Sequence, residues 1–307
     1  MRYNWQQNDW PNFHFELEEL ESACLTYLQK TARLNGMLLA LPEGLRNDAV
    51  VDMMTLEALK SSAIEGEFIS RQDVKSSIRN HLGLNLMPET VHDQRAQGLG
   101  EMMAAVRDSF AAPLTETTLF HWHQLLLTYR QDLHIIGGWR QHAEPMQIVS
   151  GPMGKERVHF EAPPSAQVPA FMTEFFNWFN EIPEGGISKF PPVRAALAHL
   201  WFESVHPFED GNGRIGRAIA EKALSQGLGA PIPFSLSRAI EADKKAYYQA
   251  LETAQRSNEV TDWLHYFVPA TLIALEKAEA EILFVIRTAQ FFDRFQDKLN
   301  DRQLKAV

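Results

Sequence analysis

A run of residues just past the middle of the chain concentrates its chemistry: His206-Pro207-Phe208-Glu209-Asp210-Gly211-Asn212-Gly213-Arg214-Ile215-Gly216-Arg217. An imidazole titrates near neutrality and can accept a hydroxyl proton. Glycine amides at a helix start favour anions, because first-turn N–H groups lack intrahelical acceptors and carry partial positive charge. Arginines three apart on that turn share a face and bring forked donors to phosphate oxygens. The combination describes a site that holds a polyphosphate and moves a proton.

Two helices must position this loop. Before it, Val193, Leu197, Leu200, Trp201 and Val205 recur at three- and four-residue steps. Pro207 stops that pattern and biases His206 toward an extended conformation. After the Gly-Asn-Gly turn, Ile215, Ala218, Ile219, Ala223 and Leu224 start a second helix. Generic motifs fail here. Gly211 to Gly216 matches G-x-G-x-x-G, but a helix and a proline precede it where a dinucleotide fold needs a strand. Asp210, Asn212 and Glu221 fit three EF-hand positions, yet Arg214 and Ile215 stand at the fifth and sixth. An ordinary helical turn would not need a histidine, an acid, glycines and two arginines in so short a span.

The remaining chain reads as nearly all-α. Helical patterns run over about 16–41, 50–64, 71–83, 91–110, 115–129, 167–180, 192–205, 212–226, 238–254 and 261–298, with Pro269 a candidate kink or break in the last. Residues 1–15 read as a docked extended arm. The exception is 137–164, where four glycines and short β-branched runs at 146–149 and 157–160 flank a polar tip, the pattern of a β-hairpin. With 307 residues the chain has ample apolar content for a core. Net charge −10 and pI about 5.6 argue against nucleic acid as the main partner. Cys24, the single cysteine, excludes an intrachain disulfide and a cysteine metal cage, which fits reducing cytoplasm. The N-terminus lacks a signal-peptide core, and no apolar run is long enough for a bilayer, so a membrane partner is not expected.

The central run resembles the signature of the Fic family, H-x-F-x-[DE]-G-N-G-R-x-x-R, with every specified position filled. The resemblance extends over about 115–267. Upstream, Ser61-Ser62-Ala63-Ile64-Glu65-Gly66 is similar to that family's inhibitory motif, [ST]-x-x-x-E-[GN], placed in a helix (about 50–66) N-terminal to the core. The implied fold is an all-α Fic-type bundle with one hairpin flap, extended by N-terminal helices. The implied organisation is 1–110 for the inhibitory region, 111–270 for the core and 271–307 for a C-terminal helix that in similar proteins leads to a winged-helix module absent here.

The resemblance implies Mg2+-dependent (or Mn2+-dependent) transfer of AMP from ATP to a Ser, Thr or Tyr hydroxyl of a target protein. His206 is then the general base, and Asp210, rather than Glu209, the metal ligand. Gly211, Asn212 and Gly213 cradle phosphate, with the Asn212 side chain adding a donor to the α-phosphate. Arg214 and Arg217 take the outer phosphates. The target segment adds to the hairpin at about 146–160. Ser61, Glu65 and Gly66 form the restraint: Glu65 pairs with Arg217 where the γ-phosphate belongs. Tyr247 and Tyr248 are weighed as adenine contacts against core packing, which is at least as good a reading. Hydrolytic removal of AMP, transfer of another phosphate-linked group and a non-catalytic ATP sensor are the alternatives, and a homodimer is left open.

Overall fold

The computed structural model describes residues 2–151, 157–181 and 189–295. The expected hairpin tip at 152–156 and the C-terminal tail beyond 295 lie outside the described residues. Among the described residues, eleven α-helices and one two-stranded sheet form the chain: α1 (Glu21–Leu39), α2 (Glu43–Ile64), α3 (Arg71–His81), α4 (Gln94–Asp108), α5 (Glu116–Leu127), β1 (Gln147–Ser150), β2 (Arg157–Glu161), α6 (Val168–Asn180), α7 (Pro191–Val205), α8 (Asn212–Leu228), α9 (Leu236–Ala242), α10 (Lys244–Ala254) and α11 (Thr261–Phe295). The fold is a helical bundle with a hairpin, as the sequence suggests.

The axis of the bundle is α7. Every residue from Pro191 to Val205 is buried, polar ones included, so α7 is a helix enclosed on all sides. It packs along α8 and beneath α11 and α6, and α1 lies along α11. Polar groups on α7 need internal partners. Arg194 donates to Phe179 O and Gln226 Oε1, both at 2.7 Å, and lies over the Phe179 ring.

Local chemistry sets most helix ends. Side chains of Ser70, Asp93, Thr115 and Ser235 accept backbone N–H groups at the starts of α3, α4, α5 and α9. One expected helix, 238–254, is two. Asp243 leaves helical geometry (φ −137°, ψ 64°) and its carboxylate caps Ala246 N, closing α9 and opening α10. Pro269 neither ends nor splits α11.

The hairpin pairs Gln147 with Glu161, Ile148 with Phe160, Val149 with Val158 and Ser150 with Arg157, with an irregularity after Ile148 that leaves His159 without an opposite residue. His159 Nδ1 instead meets Glu252 Oε2 on α10 at 2.8 Å, and Arg157 reaches Glu252 Oε1 at 3.2 Å. The N-terminal arm is docked and includes a short 3₁₀ turn, Asn4–Gln6. Asn4 Nδ2 donates to Ser204 Oγ on α7, and Trp5 Nε1 donates to Glu161 O on the hairpin, each at 2.8 Å.

Candidate active site

The loop between α7 and α8 is built to a fixed shape. Its one departure from expectation is His206, which is left-handed (φ 49°, ψ 61°) rather than extended. It is the one non-glycine residue with positive φ among the described residues. The helix closes through His206 N onto Phe202 O at 2.9 Å, and a left-handed residue is the usual way to end such a turn. Pro207 excludes continued helix, yet the closing bond keeps His206 from extending. For a side chain with Cβ this conformation carries strain, and it persists only where the surroundings enforce it.

Arg140 enforces it. Its backbone N donates to Pro207 O (2.9 Å) and its Nε to His206 O (2.8 Å). Nη2 donates to Pro163 O (2.6 Å) and Val205 O (3.3 Å), and Nη1 to Ser165 Oγ (2.9 Å). Burial without a carboxylate partner pushes its guanidinium down to about 10. Nothing local in Gly-Gly-Trp-Arg signals this role, because every acceptor is a distant carbonyl or hydroxyl. His123 supports the loop from α5. Its ring stacks on Phe208 (4.1 Å between centroids), Nδ1 accepts Gly137 N–H at 2.9 Å, and Nε2 faces Asp210 O at 3.2 Å. That network assigns the proton to Nε2. Burial pushes the imidazole down to about 4, so it is neutral.

Asn212 is turned inward. Its Nδ2 donates to Phe208 O at 2.8 Å and its Oδ1 accepts Phe208 N–H at 3.0 Å, with the residue 2 % exposed. The expected side-chain donor to the α-phosphate is therefore occupied in tying the loop together. The Gly211 amide is likewise taken, by Asp210 Oδ1 at 2.5 Å. That leaves the Asn212 and Gly213 amides in the first turn of α8, where no intrahelical acceptor exists. Gly211 has φ +80° and its face meets Leu126 and Leu127 of α5. A Cβ on Gly213 would collide with Glu65 Oε1.

The arginines are buried and engaged. Arg217 Nη2 meets Glu65 Oε1 at 2.8 Å and Ser61 O at 2.8 Å, and Nε donates to Ser61 Oγ at 2.9 Å. Burial works against the Arg217 charge, and the Glu65 carboxylate outweighs it. Ser61 and Glu65 thus act from one face of α2, and Gly66 (φ +82°) turns the chain away just after it. Arg214 is held by a residue the sequence did not single out: Glu67 Oε2 at 2.6 Å. Glu67 follows the helix end, so no helical spacing relates it to Glu65. Tyr129 donates to Glu67 Oε1 at 3.2 Å. The two tyrosines separate. Tyr247 is core, 1 % exposed against His199, whereas Tyr248 OH reaches Ile64 O at 3.3 Å and Glu65 Oε2 at 3.5 Å.

Asp210 Oδ2 pairs with Arg130 at 2.5 Å, and Oδ1 stands 3.5 Å from Arg214 Nη2. Glu209 instead accepts His134 N–H at 2.9 Å. Among the described residues no three or more His, Cys, Asp or Glu converge on one point. A hard divalent cation that keeps its waters and binds chiefly to phosphates needs only one or two carboxylates. Asp210, about a third exposed at the loop, fits that demand.

Comparison with known proteins agrees with the geometry. Residues 113–224 match the Fic/DOC family, and residues 3–84 match a domain of unknown function, DUF4172. A Fido domain-containing protein of Dictyostelium discoideum is 44 % identical over 68 residues, 22 % of this chain and 43 % of that protein. A protein of Aquifex aeolicus named "Probable protein adenylyltransferase" is 34 % identical over 65 residues, 21 % of this chain and 19 % of that one. The chain spans less than half the length of these two relatives. A Fic family protein from Desulfovibrio desulfuricans has the same fold at TM-score 0.64 and 21 % identity, over 88 % of this chain and 77 % of that chain. Fic-1 from C. elegans has it at TM-score 0.54 and 19 % identity, over 89 % and 74 %. Among the described residues no helix is long and apolar enough to cross a membrane. Residues 113–224, which carry the loop from His206 to Arg217, are a Fic/DOC domain.

Proposed function

We propose that the protein transfers AMP from ATP to a hydroxyl side chain of a target protein and that Glu65 restrains this activity. The observation that carries the reading is one short loop bearing a strained histidine, a carboxylate about a third exposed and two buried arginines at the start of α8. The His206 imidazole accepts the target hydroxyl proton as oxygen attacks the α-phosphorus in line, and pyrophosphate leaves. The Asn212 and Gly213 amides meet the developing phosphate charge. Arg214 and Arg217 hold the outer phosphates once Glu67 and Glu65 release them. Mg2+ would be held by Asp210 and the phosphates, and when bound it neutralises charge on the leaving group. The hairpin, with Val149 48 % and Val158 39 % exposed, is the proposed seat of the target segment.

Glu65, itself exposed, occupies the buried Arg217 with a charge-assisted bond, so ATP enters with its terminal phosphate displaced. The test is label position. Protein labelled from ATP carrying the label at the α-phosphate, and unlabelled from ATP carrying it at the γ-phosphate, is expected. Label from the γ-position alone would replace AMP transfer with phosphate transfer.

A further inference from the structure

Beneath His206 lies a buried polar column that the transfer reading leaves unused. His199, Glu203 and His206 occupy successive turns of α7, at steps of four and three residues, and so share a face. Glu203 is 5 % exposed and His199 fully enclosed. Glu203 Oε2 stands 3.5 Å from His206 Nδ1, and Tyr247 OH lies 2.8 Å from His199 Nε2. Gly216 makes room: a Cβ there would sit 2.6 Å from Glu203 Oε1 and 3.1 Å from His199 Nδ1. His199 Nδ1, Glu203 Oε1 and His206 Nδ1 are buried without a hydrogen-bond partner among the described residues.

A carboxylate enclosed in this way is costly unless neighbours balance it. Burial pushes the Glu203 carboxyl up, and His206, His199 and Arg217 more than reverse that, holding it below the usual carboxylate range. The groups facing it are His199 and His206 on its own helix, Arg217 from α8, Glu65 from α2 and Tyr247 with Tyr248 from α10. Catalytic hydrogen bonds are often long before substrate arrives, and a small side-chain rotation closes 3.5 Å.

We propose that Glu203 is the positioning residue of His206. It accepts the Nδ1 proton, which fixes the tautomer that leaves the Nε2 lone pair free for the target hydroxyl, and it stabilises the imidazolium that forms. His199 and the bare Cα of Gly216 seat the carboxylate. This rests on His206 acting as the base.

The test is Glu203→Leu, which removes the acceptor, in otherwise intact chain, read by ¹⁵N NMR of the histidine tautomers at neutral pH and by AMP transfer in the Glu65→Gly background. Nδ1-protonated His206 is expected in the parent and Nε2-protonated His206 in the variant. kcat should fall about 100-fold or more with KM for ATP little changed. Gly216→Ala provides a second variant that displaces the carboxylate without removing its charge, and the same tautomer change is expected. An unchanged tautomer in either folded variant overturns the proposal, whether or not AMP is transferred. A tautomer change in a protein that transfers no AMP upholds the positioning role and removes the transfer reading instead.

Discussion

At the residue scale, the site depends on a histidine in a conformation that glycine would adopt freely. His206 is left-handed and surrounded by bonds from Arg140, so the fold spends stability to aim its ring. His206→Gly removes that strain, and the variant is expected to unfold about 1 kcal/mol later than the parent in denaturant titration. On the proposed mechanism the same variant should lose transfer by about 100-fold or more, because no base would remain. A loss of both stability and activity would mean that the left-handed turn carries no strain. Asn212 makes the complementary point. Its type suits a phosphate donor, yet its side chain clasps Phe208, and only the backbone faces outward.

At the scale of elements, the proposed restraint is a helix end rather than a single side chain. α2 delivers Ser61 and Glu65 to Arg217, and the turn after it delivers Glu67 to Arg214. Both arginines are thus held from the N-terminal segment. Glu67→Gln removes the charge paired with Arg214, leaving it Asp210 at 3.5 Å, while Ser61 and Glu65 still hold Arg217. A rise in AMP transfer of roughly two- to tenfold is expected, smaller than for Glu65→Gly and additional to it in the double variant. No rise in either background would confine the restraint to Arg217. Much of this was legible in the sequence: the helices around the loop, the hairpin, and the shared face of Ser61 and Glu65 all follow from period and turn residues. Glu67, Arg140 and His123 were not, because each acts on groups brought near by tertiary packing alone. The break at Asp243 was missed because the apolar period continues across it and only the cap betrays it.

At the scale of the whole molecule, α2 is also joined to the start of α9, two turns before Glu65, beside α8. Glu57 of α2 accepts from Ser235 Oγ (2.8 Å) and Ser237 N (2.9 Å), and Glu221 of α8 stands close by. A cavity of about 460 Å³ between them is also lined by Arg46 and Arg107. Burial first, then the Glu57 charge, pushes the Glu221 carboxyl up to about 8. A carboxyl whose folded value lies above its unfolded one stabilises the fold when protonated. That contribution is full below about pH 4.5 and is lost as pH rises toward about 8. Glu221→Gln keeps the neutral form at every pH. Its unfolding midpoint should match the parent near pH 4.5 and exceed it increasingly up to pH 8, by thermal denaturation across that range. Equal midpoints throughout would show that Glu221 titrates normally.

On the proposed mechanism the loop at His206 transfers AMP and is held off through Glu65. The most direct measurement is transfer of α-labelled AMP to protein by the parent, by Glu65→Gly and by Glu65→Gly with His206→Ala. Arg217 is buried but Glu65 is exposed, so the pair is worth less than a fully buried one, and Glu65→Gly should label about tenfold or more above the parent. The added histidine substitution should return the signal to background. Equal labelling by the parent and Glu65→Gly, or labelling that survives the loss of His206, would contradict the account.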